Sequence, residues 1–398
     1  MKIILFDPET SGHHIKYASY LIRYLIEQGD MVTFVSWKPC KLVNSLQNFP
    51  ITVKYIVGSS EENFGGNTIK RKWQLAKGFR YCFNLANVQH VDVVHCLYFD
   101  YSEIILYFCI KKFKHRSWKL FSTIFSPYFI HEPNEKVGIM RYLYHNLKCR
   151  IVVRLFKKGE IRGLFSHSER IRNKLLKLCS DDLFRQNIFV IPDPVELLPK
   201  ISQEVARYYL GLPQKKSIIL FFGEVNYRKG FDILLKALPL IEKEVYILIA
   251  GKLDGSIKEE TIQKYRQSLR KPEYLILHLR YIKDEDVAKY FLASDTVILP
   301  YRRGFKGTSG VLNYASAAGK PVIVSDIGEI GHIIRENNLG ILIEPESPEA
   351  IVQGVEKFLS QSVKWRNHIE LQAIQYAKIN NWRKMASKVR ETYLKIKE

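Results

Sequence analysis

No apolar run in this chain of 398 residues reaches the roughly 18 to 20 residues that a membrane-crossing helix needs, because charge interrupts every one within a few positions. A membrane-spanning class is therefore excluded. The opening Met1-Lys-Ile-Ile-Leu-Phe-Asp7 is too short an apolar stretch for a secretory leader and is followed by acidic residues, so it reads as a first strand. There is no Cys-x-x-Cys pair among the six cysteines, at 40, 82, 96, 109, 149 and 179. That spacing argues against a zinc site and a disulfide framework, and for reduced, mostly buried thiols in a cytosolic protein with no metal. Low-complexity tracts and internal repeats are missing too. With 46% hydrophobic residues the chain is not disordered, and its length suits two domains, each with its own core.

Acidic residues are scarce relative to basic ones: 40 Asp and Glu face 61 Lys and Arg, a formal charge of +21. This predicts attraction to something anionic, whether a phospholipid surface, a polyphosphate-linked substrate or nucleic acid. Charge alone does not choose among them.

What is present is an alternation of short apolar strands and amphipathic helices. After the first strand come a loop with Gly12, a helix in which Ile15, Ala18, Ile22 and Leu25 recur at helical spacing until Gly29, and a strand from Met31 to Ser36. Further strand-like segments lie at 51–57, 91–96, 119–123, 163–167 and 188–191, which argues for a parallel sheet covered on both faces. The run Ile191-Pro-Asp-Pro-Val-Glu196 marks a boundary, and the alternation restarts at 217–222, 245–250, 274–279, 296–299 and 340–343. The expectation is two doubly wound α/β domains, 1–196 and 197–366, meeting at a cleft lined by strand carboxyl ends, with a helical tail from about 367 to 398.

The segment Gly307-Thr-Ser-Gly-Val-Leu-Asn-Tyr-Ala-Ser-Ala-Ala-Gly-Lys-Pro-Val-Ile-Val-Ser-Asp326 reads as a polar loop, a short helix and a buried strand. Thr308 or Ser309 can cap the helix, Gly310 admits close approach of a ligand, Gly319 closes the helix and Pro321 follows. Backbone N–H groups at such a helix start suit phosphate. A glycine-flanked helix before a strand is also ordinary architecture in α/β proteins.

Taken with its context, this half of the chain resembles the GT-B glycosyltransferases, and among them family 4, a retaining group that uses nucleotide sugars. The resemblance covers most of residues 217–345. It rests on Leu220-Phe-Phe-Gly-Glu-Val-Asn-Tyr-Arg-Lys-Gly-Phe-Asp-Ile-Leu-Leu-Lys-Ala237, on Tyr246-Ile-Leu-Ile-Ala-Gly-Lys252, on the stretch from Tyr281 to Tyr301 and on the Gly307 segment. It implies two Rossmann-like domains facing a cleft, with acceptor binding in the first and nucleotide-sugar binding in the second. The Asn381-Trp382 helix is similar to the family's terminal helix, which crosses back to the first domain.

The resemblance also implies that Lys229, with Arg228, meets the donor diphosphate. Physical chemistry agrees, since a cation at a helix start is poorly placed unless an anion joins it, and an ammonium steadies charge growing on a leaving diphosphate. The other donor-side positions are Gly223, Gly251, Lys252, Tyr281, Gly307, Thr308, Ser309 and Gly310. Two departures stand out. Glu224 follows the first glycine where relatives carry Arg, and the family's paired glutamates fall on Lys306 and Tyr314. Lys306 could meet the diphosphate instead, and Asn313 or Tyr314 a ribose hydroxyl.

A histidine often lines the family's reaction centre, but Phe125 stands at its usual place; His13, His14, His95 and His131 are the remaining candidates. Of these, His13 and His14 beside Gly12 have the best claim, and His95 reads equally well as a satisfied core histidine. No cofactor is implied beyond the nucleotide sugar as co-substrate, and a glycan or lipid-linked acceptor is expected. A non-catalytic partner of another transferase and an epimerase are the rival readings.

Between Lys111 and Lys177, Lys and Arg interleave with aromatic residues, notably over 111–119 and 141–158. One reading is a peripheral contact with the inner, anionic membrane face. Another is a solvated face on a core helix whose Leu143, Leu147, Ile151 and Leu155 face the sheet. No motif supports nucleic-acid binding.

Overall fold

The computed structural model describes residues 1–9, 13–38, 46, 49–59, 68–125, 127–131, 138–191, 193–305 and 307–396, without the side chains of 13–15, 38, 57–59 and 68–69. They form two compact units, Met1–Pro194 with Trp382–Glu398, and Val195–Asn381.

The first unit runs β1 (Lys2–Phe6), α1 (His13–Glu27), β2 (Met31–Lys38), β3 (Thr52–Ser59), α2 (Thr68–Gln89), β4 (Val93–Cys96), α3 (Glu103–Ile110), β5 (Lys119–Ile124), α4 (Ile139–Lys157), β6 (Gly163–Ser166), α5 (Glu169–Leu176), α6 (Asp182–Gln186) and β7 (Ile188–Val190). Its seven strands are all parallel, in the order β3-β2-β1-β4-β5-β6-β7. Helices cover both faces, so the strands read as continuous apolar runs; Ile3, Ile4, Leu5 and Phe6 are all buried.

The second unit repeats the plan with α7 (Gln203–Leu210), β8 (Ile218–Phe222), α8 (Phe231–Ala237), β9 (Tyr246–Ala250), α9 (Glu259–Ser268), β10 (Leu275–His278), α10 (Asp284–Ala293), β11 (Thr296–Leu299), α11 (Gly310–Ala317), β12 (Val322–Ser325), α12 (Gly328–Asn337), β13 (Gly340–Ile343), α13 (Pro348–Leu359) and α14 (Val363–Ile379). Its six parallel strands are ordered β10-β9-β8-β11-β12-β13. Strand order reverses between β1 and β4 in one sheet and between β8 and β11 in the other. Ligands of doubly wound sheets bind at the carboxyl ends of such strand pairs, because the connecting loops part there.

The helical tail divides later than 367. Helix α14 buries Ile369, Ala373, Tyr376 and Ala377 within the second unit, packing on α11. Only α15 (Trp382–Lys395) joins the first unit, docking on α1. Tyr20 stacks on Trp382 at 5.1 Å, and Arg390 Nε donates to Asp30 at 2.6 Å. The same carboxylate takes the terminal amine of Met1 at 2.8 Å.

Five of the cysteines are free thiols and Cys40 lies outside the described residues. Burial pushes the Cys82 and Cys96 thiols well up, which keeps them protonated and unreactive.

Two glycines set the end of β8 against its neighbours. Gly251 has φ 152°, and a Cβ there would run into the carbonyl oxygen of Gly223; Gly230 has φ 70°, and its Cβ would meet the carbonyl oxygen of Pro300. Gly251→Ala is accordingly expected to destabilise the second unit by about 2 kcal/mol in denaturant titrations.

Candidate active site

At the carboxyl end of β8 the chain turns through Gly223 and Glu224 into a single 3-10 turn, Tyr227–Lys229, before α8 begins. Asn226 caps the turn, its side-chain oxygen accepting from the Lys229 N–H at 3.0 Å. Gly230, with φ 70°, closes it. The turn is held from outside by Arg302, whose Nε donates to the Tyr227 carbonyl at 3.0 Å and whose guanidinium pairs with Asp232 at 2.6 Å.

This frame directs the Lys229 side chain back towards β8. Its ammonium donates to the Phe222 carbonyl at 3.1 Å and is only 9% exposed. Burial, then the neighbouring Arg228 charge, lowers its pKa to about 8, with Glu224 opposing. A buried cation beside a second cation is a poor arrangement in isolation and a good one for an incoming dianion. Gly223 lies directly against that ammonium, and a Cβ there would also touch Val311 in the first turn of α11 at 4.0 Å. Lys229, Gly223 and the start of α11 therefore share one crevice, at the β8/β11 reversal.

The start of α11 differs from the simple capped helix expected of its sequence. Ser309 occupies the cap position but makes no side-chain cap hydrogen bond. Its hydroxyl is engaged by the buried Tyr301 hydroxyl at 2.8 Å, and burial raises the Tyr301 pKa to about 12. Among the described residues, apart from its chain neighbours and its own helix backbone, nothing lies within 4 Å of where a Gly310 side chain would begin, so the helix start opens onto space. An anion there meets backbone N–H groups and the positive end of the helix.

Around this centre, Arg228 is exposed with its guanidinium 5.9 Å from the Phe305 ring centroid. Glu224 accepts a hydrogen bond from Asn226 at 2.9 Å. Asn313 is buried on α11, and Tyr314 stacks on Phe291 at 5.3 Å, so its ring helps to build the core. Lys252 is exposed after β9, where its carbonyl accepts from Val225 N–H at 2.9 Å, and Tyr281 is exposed after β10. Gly307 and Thr308 precede α11. Lys306 and Gly12 lie outside the described residues; His13 and His14 open α1, their side chains outside the description.

In the first unit, the second of the two readings of His95, a satisfied core histidine, matches its surroundings: it is fully buried, with Nδ1 2.6 Å from the Tyr393 hydroxyl on α15 and Nε2 2.8 Å from the Thr123 hydroxyl. Burial lowers its pKa to about 3, making it a neutral core histidine that ties α15 to β4 and β5. His131 stacks on His145 at 4.5 Å.

His167 lies in the Phe165-Ser-His-Ser168 stretch that resembles the family's acceptor domain but was not among the candidate histidines. It follows β6 at the sheet's carboxyl edge, its Nδ1 donating to the Ile191 carbonyl at 3.0 Å and its ring 4.3 Å from Phe125. That bond fixes the neutral tautomer with the lone pair on Nε2. Asp7, Tyr17 and Asp193 gather at the same edge, and burial raises the Tyr17 pKa with help from both carboxylates. The signal in the sequence was a polar residue directly after each of two strands, Asp7 after β1 and His167 after β6. Among the described residues no group of three or more His, Cys, Asp or Glu is placed to hold a metal ion.

Two doubly wound parallel domains, the second with a cation and an open helix start at its strand reversal, define the GT-B class of glycosyltransferase folds. Residues 202–377 match the family Glycosyl transferases group 1, so the second unit is similar to that family. An uncharacterized glycosyltransferase of Methanocaldococcus jannaschii is 30% identical over 156 residues, 39% of this chain and 38% of the relative. A D-inositol 3-phosphate glycosyltransferase of Xylanimonas cellulosilytica is 27% identical over 187 residues, 44% of this chain and 43% of the relative. The chain thus spans about two fifths of the length of these curated relatives. Among solved structures, a glycosyltransferase from Rickettsia africae superposes with TM-score 0.74 at 18% identity, covering 99% of this chain and 98% of that one. Anabaena HepE in complex with UDP superposes with TM-score 0.73 at 14% identity, covering 99% and 100%.

Proposed function

We propose that the chain is a retaining glycosyltransferase that moves a sugar from a nucleotide diphosphate sugar to a glycan or lipid-linked acceptor. The pathway would be surface polysaccharide or glycoconjugate synthesis, on the cytoplasmic side of a membrane. The observation that carries this reading is Lys229, a buried ammonium in one crevice with the open start of α11. The diphosphate would lie between them, with Arg228 at the rim. As the glycosidic bond breaks, its electrons pass to the diphosphate oxygen, and these cations and N–H groups stabilise the growing charge. The acceptor hydroxyl attacks from the face the diphosphate leaves, which retains configuration, and positioning supplies much of the rate. HepE in complex with UDP supports a nucleotide in such a fold.

The test is thermal stabilisation by UDP, GDP, ADP and TDP and their sugar conjugates. One base is expected to stabilise the protein by about 2.7 kcal/mol at 100 times its dissociation constant. The second reading, a non-catalytic relative acting as a partner subunit, draws on Tyr314, whose ring packs on Phe291 where relatives place a carboxylate. Absence of any nucleotide shift, with no transfer, would decide for it.

A further inference from the structure

Helices α2 and α4 contain no acidic residue, while α2 carries Lys70, Arg71, Lys72, Lys77 and Arg80. In a parallel sheet the crossover helices run against the strands, so the first turns of α2 and α4 stand at the sheet's carboxyl end. There α4 is also apolar on the outside, and α2 adds one exposed indole. The second half of α4 buries Ile151, Val152, Leu155 and Phe156, but its first half leaves Ile139 68%, Met140 78% and Leu143 55% exposed. The expected inward stripe is therefore only half realised: Ile151 and Leu155 face the core, and Leu143 and Leu147 face solvent. On α2, Trp73 is 66% exposed.

Cations and rings join these turns into one face. Tyr101 and Tyr128, after β4 and β5, stack at 4.9 Å. Arg71 sits 5.2 Å from the Tyr101 ring centre, and Lys72 5.8 Å from that of Tyr144. Lys148 lies between Tyr101 and Tyr144, at 5.6 and 5.1 Å, braced by Glu103 at 3.1 Å. Glu103 is buried, so among the described residues of this cluster no negative charge reaches the surface.

We infer that this face docks on an anionic phospholipid membrane. A polyanion alone would use the cations but leave the exposed Trp73, Ile139, Met140 and Leu143 unaccounted for. An anionic leaflet accounts for both, with apolar side chains entering the acyl boundary, aromatic rings at the headgroups and cations at the phosphates. Residues 111–119, grouped with this surface in the sequence, belong elsewhere. They lie at the amino end of the strands, where Lys114, Arg116, Lys119, Lys158 and Arg162 line a polar recess of about 270 Å³. The inference deepens the membrane part of the proposed function and rests on it only there.

The test is co-sedimentation of the full chain, without donor, with vesicles of phosphatidylcholine alone or mixed with phosphatidylglycerol. The protein is expected to sediment with the mixed vesicles only. Trp73→Ser with Met140→Ser, and separately Lys72→Glu with Arg141→Glu, should each weaken binding at least about tenfold. Lys114→Glu with Lys158→Glu makes the same charge change at the far end and should alter it less than about twofold. All six positions are exposed, so thermal midpoints should hold. Equal loss in the two charge variants, or no sedimentation of the unaltered protein, overturns the inference. So does a dimer in ultracentrifugation that the Trp73 variant dissociates, since the face would then belong to a second copy. Intact vesicle binding with no nucleotide binding would sink the donor reading and leave this one standing.

Discussion

Lys229→Met is expected to lower transfer about a thousandfold and, at neutral pH, to make the nucleotide-free second unit more stable. The two effects share one cause. The ammonium is buried beside Arg228, and its pKa of about 8, against an ordinary lysine value of 10.5, means that folding works against its charge. Removing the charge relieves about 2 kcal/mol once the lost bond to the Phe222 carbonyl is subtracted, while methionine keeps most of the stem. A lysine present for packing would show the opposite pattern, with stability lost and transfer nearly intact. The measurement pairs initial rates with a denaturant titration of the same variant. Unchanged transfer would overturn the assignment of the diphosphate site.

The doubly wound fold was legible because parallel strands buried on both faces must be written almost entirely in apolar residues. Segments such as Ile218-Ile-Leu-Phe-Phe222 leave few alternatives at that length. Lys229 was singled out by the family resemblance, and its place as a cation at a helix start agrees with that. What stayed hidden depends on partners far along the chain. His95 could be read as a core or an acceptor-side histidine, and what separates the two is Tyr393, 298 residues away, which meets it from α15. Thr308 or Ser309 could cap α11 by sequence; Ser309 holds the cap position, but Tyr301 engages its hydroxyl, and a pattern of single residues cannot say which of two bonds wins. The docking face was split in the same way: α4 was visible, but Trp73 is separated from it by more than sixty residues, and only the sheet order makes them neighbours.

Donor binding is expected to fall as pH rises above about 8, by close to tenfold per unit, and so about a hundredfold by pH 10. In the free protein Lys229 is half-deprotonated near that pH, with burial and Arg228 lowering its pKa and Glu224 raising it. A bound diphosphate brings negative charge against the same nitrogen, so the pKa in the complex lies higher and binding takes up a proton throughout the interval between the two values. Below the lower value the lysine is already charged and affinity is flat. Backbone N–H groups do not titrate, so the one proton on Lys229 sets the slope. Stability of the empty second unit has the opposite sign. The folded pKa is depressed, so folding gains as pH rises from about 8 towards the unfolded value near 10.5. Calorimetric titration with the matching nucleoside diphosphate across this range, beside Lys229→Met as a weak and pH-independent reference, measures the slope. A flat profile for the unaltered protein would mean that the ammonium does not meet the diphosphate, whatever the variant's transfer rate.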